Sequence, residues 1–62
     1  MATRSELGSI ATSLDELTKR VAALAEGVGP DEEELGVELF GVERSLVGAL
    51  RRLRKLAESP GR

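Results

Sequence analysis

The sequence predicts an all-α protein, an antiparallel two-helix hairpin that pairs into a four-helix bundle. Two amphipathic segments with heptad repeats are separated by the turn-forming residues 27–30. The 62 residues are 40% apolar with a single aromatic residue, too few to fill a deep single-chain core. Cysteine and histidine are absent from the sequence, so disulfides and thiolate or imidazole metal sites cannot add stability. Self-association is the remaining source of additional stability.

The first helix is predicted over residues 4–26. Thr3 and Glu6 have the spacing of an N-terminal capping box, and Gly27 suits a left-handed C-terminal cap. Between them, apolar residues follow one another at spacings of 3, 4, 3, 4 and 3, which defines the a and d positions of a heptad. The a positions are Leu7, Leu14 and Val21, and the d positions are Ile10, Leu17 and Leu24.

Residues 27–30, Gly-Val-Gly-Pro, predict a tight turn, since glycine tolerates positive φ and proline fits the first turn of a new helix. The second helix is predicted over residues 31–58. Its acidic start and basic end both complement the helix dipole. Residues 59–62 form a tail, and the whole chain, 1–62, is expected to be one helical-hairpin domain. In the second helix the a positions are Leu39, Leu46 and Leu53, and the d positions are Leu35, Val42, Ala49 and Leu56.

Folding the chain about Val28 predicts a register in which the a positions of one helix meet the d positions of the other. Leu14 then lies opposite Val42, and every layer is apolar. Each exposed ion pair contributes only about 0.2–1 kcal/mol, so charges select this register rather than hold it together. The g positions that flank the layers form pairs of opposite charge, Arg20 with Glu38 and Glu6 with Arg52.

Small and apolar residues also occupy the other flank of the predicted hairpin, where a solvated surface would be charged. Single exposed apolar residues are normal on a monomer, but a two-helix hairpin has no other way to bury a second face. We therefore predict a protein interface there, anchored by Phe40. The predicted interface residues are Ala11, Thr18, Ala22, Ala25, Gly36, Phe40, Val47, Leu50, Leu53 and Leu56.

One basic cluster, Arg51, Arg52, Arg54 and Lys55, is the candidate contact for nucleic acid or another anion. The net charge of -2 and the lack of stacking aromatics argue against nucleic acid. The helix dipole explains the same charges, and it also explains the acidic run at residues 31–34. Four consecutive helical carboxylates point in four directions, so that run does not predict a divalent-cation site.

These observations predict a non-enzymatic protein-protein interaction or regulatory module, such as an adaptor. It acts as a homodimer or as a subunit of a larger complex, and the sequence leaves both open. The alternative is a small nucleic-acid-binding regulator that uses the basic cluster. No catalytic residue, metal, cofactor or small-molecule substrate is assigned, because the carboxylates and hydroxyls are scattered.

The location of the protein is predicted from what its sequence contains. No stretch is apolar enough for a signal peptide or a membrane span, so a cytoplasmic protein without membrane contact is expected. Arginine outnumbers lysine by seven to two, and alanine and glycine are frequent, which is typical of a GC-rich bacterial genome. The expectation is therefore a bacterial cytoplasmic protein.

Overall fold

The computed structural model describes residues 3–58 as two long helices that pack against each other. Helix α1 spans Thr3–Glu26, a 3-10 helix spans Pro30–Glu32, and helix α2 spans Glu33–Glu58. No strand occurs within these described residues. The prediction of an all-α helical hairpin is thus confirmed, and the predicted tail at residues 59–62 lies outside the described part of the chain.

The first helix ends through hydrogen bonds that tighten its last turn. The Gly27 N–H is shared between the carbonyl oxygens of Ala23, at 3.2 Å, and Leu24, at 3.1 Å. Such shared bonds are common where an α-helix changes into a 3-10 turn. The φ angle of Gly27 lies outside the left-handed region, so the prediction of a left-handed cap at this residue is wrong.

The second helix begins through a 3-10 turn that the sequence prediction lacked. Gly29 has extended backbone angles, φ -74° and ψ 164°, and Pro30 follows at the first helical position. Because proline has no N–H, it leaves no donor without a partner there. The Glu32 N–H donates to the Gly29 carbonyl at 3.0 Å, and regular α-helix starts at Glu33. The connection between the helices is therefore longer than predicted.

The two helices pack through their a and e positions. Buried residues recur every seven positions on α1, at Ala11, Thr18 and Ala25, and fourteen positions apart on α2, at Gly36 and Leu50. The large d-position side chains are exposed instead. The predicted a/d interface is therefore wrong by a rotation of roughly 45° about each helix axis. Four of the five buried e positions carry small residues, which favours this contact side because small residues let two helices approach closely.

The register also differs from the prediction. Arg54 Nη2 lies 3.8 Å from Asp15 Oδ2 across the interface. In the predicted register Asp15 would lie level with Gly41, thirteen residues before Arg54. That separation is about 20 Å along the helix axis, which the two side chains cannot span. Helix α2 is therefore displaced by several residues, in agreement with the longer connection.

The hairpin has a thin core. Its dimensions are 49 × 15 × 11 Å, and Leu50, 6% exposed, is the one large apolar side chain that residues 3–58 bury. The remaining buried residues are alanine, threonine or glycine. The buried Thr18 hydroxyl donates to the Leu14 carbonyl at 2.7 Å, so its burial leaves no donor without a partner. Most of the large apolar side chains remain accessible in the single chain.

Two glycines weaken α2 without a compensating contact. A Cβ atom added at Gly41 or Gly48 would meet no heavy atom within 4 Å. We expect Gly41→Ala combined with Gly48→Ala to raise the free energy of unfolding by about 1–2 kcal/mol, since each glycine costs about 1 kcal/mol in a helix interior. Urea denaturation followed by circular dichroism measures this change. A loss of stability in the double variant would contradict the open surroundings of these two positions.

Candidate functional site

Exposed apolar side chains follow the d positions of both helices. Their exposed fractions run from 45% for Val42 to 61% for Leu24. An isolated amphipathic helix pair keeps charged and polar residues on its solvent side, so two regular rows of exposed aliphatic residues are unusual. We call this surface the apolar face. Its large residues are Ile10, Leu17, Leu24, Leu35, Val42 and Leu56.

Both rows lie on the same side of the hairpin. At 100° per residue, the d positions lie roughly 75° to one side of the helix interface on each helix. Two antiparallel helices in contact are related by an approximate two-fold axis perpendicular to the plane that contains both helices. Equivalent heptad positions, such as the two d rows, therefore lie on the same side of that plane. The a-position residues lie half-buried between the two rows, which makes the apolar face continuous.

The opposite side of the hairpin carries the b positions, one residue after each a position. The contact between Asp15 and Arg54 lies there, and Asp15 also pairs with Lys19 at 3.3 Å. Phe40 and Val47 share the b row of Arg54, so they lie on this side as well. We call it the Phe40 face. One flat partner surface cannot contact both faces at once.

Five of the ten predicted partner-contact residues are buried between the two helices. These are Ala11, Thr18, Ala25, Gly36 and Leu50. Residues that the single chain buries offer a partner little surface, and their part in a partner interface stays a prediction. The first four are small residues that let one helix approach the other, and Leu50 is the large apolar side chain buried with them. The strict seven-residue spacing of the small residues was a signal for this role.

The other five predicted contact residues do not form one surface. Phe40 and Val47 lie on the Phe40 face, and Leu56 lies on the apolar face. Ala22 and Leu53 are half-buried near the helix interface. Sequence reasoning assigned the d-position residues to the hairpin core, and it therefore missed the largest exposed apolar surface.

The basic cluster lines one shallow groove near the end of α2. All four of its side chains border this groove, together with the carboxylate-bearing Glu58. The guanidinium of Arg54 also contacts the Asp15 carboxylate, which offsets part of the local positive charge. The groove follows the outside of one helix, and nothing in residues 3–58 closes over it. An anion held here would stay largely in water.

The remaining polar groups do not assemble a reactive site in the described part of the chain. No three histidine, cysteine, aspartate or glutamate side chains converge on a metal-sized site within residues 3–58. The Thr12 hydroxyl donates to the Gly8 carbonyl at 3.1 Å, as the Thr18 hydroxyl does to Leu14. Neither described helix is both long and apolar enough to cross a membrane.

Comparison with protein-family models, curated proteins and solved structures gave no match. The most extensive feature of residues 3–58 is the apolar face, which combines side chains from both helices.

Proposed function

We propose that the protein is a non-enzymatic interaction module that binds another helical surface through its apolar face. The observation that carries this proposal is the pair of aliphatic rows, whose six large side chains are each about half exposed. Contiguous exposed apolar surface is rare on monomeric soluble proteins and marks sites of association. The proposal follows the chemistry of the surface, since aliphatic side chains bind by excluding water.

The shape of the apolar face favours a helical partner. Its residues recur every seven positions, and the half-buried a positions lie between the rows. Side chains of a partner helix with the same repeat fit between such rows. A peptide that binds by strand addition would instead require an open sheet edge, which residues 3–58 do not contain.

A non-enzymatic role agrees with the chemical groups that are present. Histidine, cysteine, tyrosine and tryptophan are absent from the sequence. The half-buried carboxylate of Asp15 is held by Lys19 and Arg54, and the two hydroxyls described above donate to backbone carbonyls. These groups show no arrangement of a nucleophile beside a general base.

A matched pair of valine variants tests the proposed binding surface. Val42 lies on the apolar face, and Val37 is the most exposed valine, 63%, away from it. The test is affinity capture from an extract of the source cell. Tagged Val42→Asp should no longer capture the proteins that the tagged wild type captures, whereas tagged Val37→Asp should still capture them. The two variants add the same charge to the same helix, so quantitative mass spectrometry of the retained proteins isolates the contribution of the face.

Two outcomes would contradict the proposal. Equal losses in both variants, or a selective loss with Val37→Asp, would move the binding surface away from the apolar face. The second outcome is that the capture of other proteins depends on nucleic acid. In that case nuclease treatment abolishes the capture, and so does the triple variant Arg51→Gln, Arg54→Gln, Lys55→Gln. The basic cluster is then the functional site, and the nucleic-acid alternative replaces our proposal.

A further inference from the structure

We propose that the occupant of the apolar face is a second copy of this chain, arranged as an antiparallel four-helix bundle with the two turns at opposite ends. This inference rests on the proposed function, because it uses the same face. It adds the identity of the partner and the orientation of the two copies. Three features of the structure support it: the heptad geometry, the charged rim of the face and the exposed area.

The heptad geometry of each helix fits a four-helix bundle. In such a bundle the a and d positions point to the central axis, and the two flanks face two different neighbours. Here the e positions, such as Ala11 and Leu50, face the sister helix of the same chain. The d positions and the adjoining g positions face outward on the apolar side. A second hairpin on that side would complete the central layers.

The rim of the apolar face carries the same charge pattern on both helices. The g positions read Glu-Ser-Arg along each helix at seven-residue intervals, and all six side chains are exposed. The ion pairs among residues 3–58 all involve Asp15, so the intrachain pairs predicted from the sequence are wrong. These rim residues are Glu6, Ser13 and Arg20 on α1, and Glu38, Ser45 and Arg52 on α2.

A Glu-Ser-Arg row is complementary to itself when it runs antiparallel. A two-fold axis passing beside Ser13 and Ser45 places each helix next to its own copy in the opposite direction. On α2, Glu38 then meets Arg52 of the second copy, and the reverse pair forms by symmetry. The corresponding α1 pairs form in the same way. Such a surface is isologous, as a two-fold dimer requires.

The positions of the two serines allow one axis to serve both helices. Ser13 lies within two residues of the midpoint of α1, and Ser45 lies within one residue of the midpoint of α2. Because the helices have similar lengths and run side by side, their midpoints lie at about the same level. A single two-fold axis, perpendicular to the helix axes and parallel to the apolar face, can therefore pass between both serines and their copies.

A parallel pair, with both turns at one end, satisfies the rim charges as well, but it crowds the acidic turns. The four carboxylates of residues 31–34 in each copy would lie beside those of the other copy. The antiparallel pair instead brings each acidic run level with the basic last turns of α2 in the second copy. Unlike charges at both ends of the bundle favour this orientation.

The exposed area is sufficient for a stable dimer. The chain exposes 5026 Å², whereas a compact protein of 6.6 kDa exposes about 3,900 Å². The excess is about 1,100 Å² per chain, and two copies that covered it would bury about 2,200 Å². Stable protein interfaces bury about 1,200–2,000 Å². The excess area of the two chains is thus of the size that a stable dimer buries.

Cysteine cross-linking at the two serines tests both partner and orientation. We expect Ser45→Cys alone to form a disulfide-linked dimer under mild oxidation, and Ser13→Cys alone to do the same. Thr12→Cys, exposed on the outside of α1, is the matched control and should remain monomeric on a denaturing gel. Sedimentation equilibrium of the wild type at micromolar concentration should report about twice the 6.6 kDa chain mass.

Each other result overturns a defined part of the inference. Cross-links that form only when Ser13→Cys and Ser45→Cys chains are mixed would show the parallel orientation. A folded wild-type monomer at 100 µM, without cross-links from either serine, would exclude a second copy as the occupant. If Val42→Asp still removed another retained protein selectively in that case, the proposed function would survive and only the identity of the partner would change.

Discussion

Leu50→Ala is expected to lower the free energy of unfolding by about 2–5 kcal/mol, the range for removing a large buried aliphatic side chain. Leu50 is 6% exposed, while the other buried residues are small. The substitution therefore removes the largest buried contribution to helix packing in the described hairpin. Natural domains have about 5–15 kcal/mol of stability in total, and a chain with so thin a core lies near or below the low end of that range, so the variant should lose a large share of its stability.

The measurement is urea denaturation followed by circular dichroism, at one protein concentration for every variant because association adds to apparent stability. Val37→Ala is the control, since Val37 is 63% exposed and lies on the same helix. It should change stability by less than about 0.5 kcal/mol. Equal effects of the two substitutions would mean that Leu50 does not lie in the hairpin core.

The two helices and their antiparallel connection could be predicted from the sequence because the signals are local. A heptad repeat requires only the spacing of apolar residues along one segment. The proline at position 30 and its neighbouring glycines mark a change of chain direction within four residues. The 3-10 turn at Pro30–Glu32 was missed, because proline starts an α-helix equally well.

The choice between the possible contact sides of each helix is not local. On α1, the d, a and e positions form three adjacent stripes along the helix, and each stripe is apolar or small. Ile10, Leu14 and Ala11 are examples of the three. Which two stripes face the sister helix depends on how closely the backbones approach, a property of both helices together. The structure selects a and e, so the d stripe becomes the candidate binding surface.

The sequence predicts an apolar partner surface anchored by Phe40, because aromatic residues often dominate interfaces. That partner surface stays a prediction, and the exposed d-position residues form a second candidate surface. Residue type alone does not determine which side of a helix faces its sister helix. The structure places Phe40 on the side opposite Leu17 and Val42.

Leu17→Asp is expected to weaken association of the two copies by at least about 100-fold. Leu17 lies on the apolar face, one helical turn from the proposed two-fold axis at Ser13. It is 49% exposed in the single chain, so the hairpin itself tolerates a carboxylate there. In the bundle the same carboxylate is buried without a partner, which costs several kcal/mol. Each 1.4 kcal/mol corresponds to a tenfold change in affinity.

Thr12→Asp is the matched control, because it adds the same charge to the outside of the same helix. Sedimentation velocity across a dilution series should show dimers for wild type and Thr12→Asp at concentrations where Leu17→Asp is monomeric. The apparent melting temperature of Leu17→Asp should also stop depending on concentration, since a monomer gains nothing from mass action. Equal dissociation constants for the two aspartate variants would place the contact between copies elsewhere. A reduction in the affinity between the two copies that is confined to Leu17→Asp would show that they associate through the d stripe, which the hairpin leaves exposed.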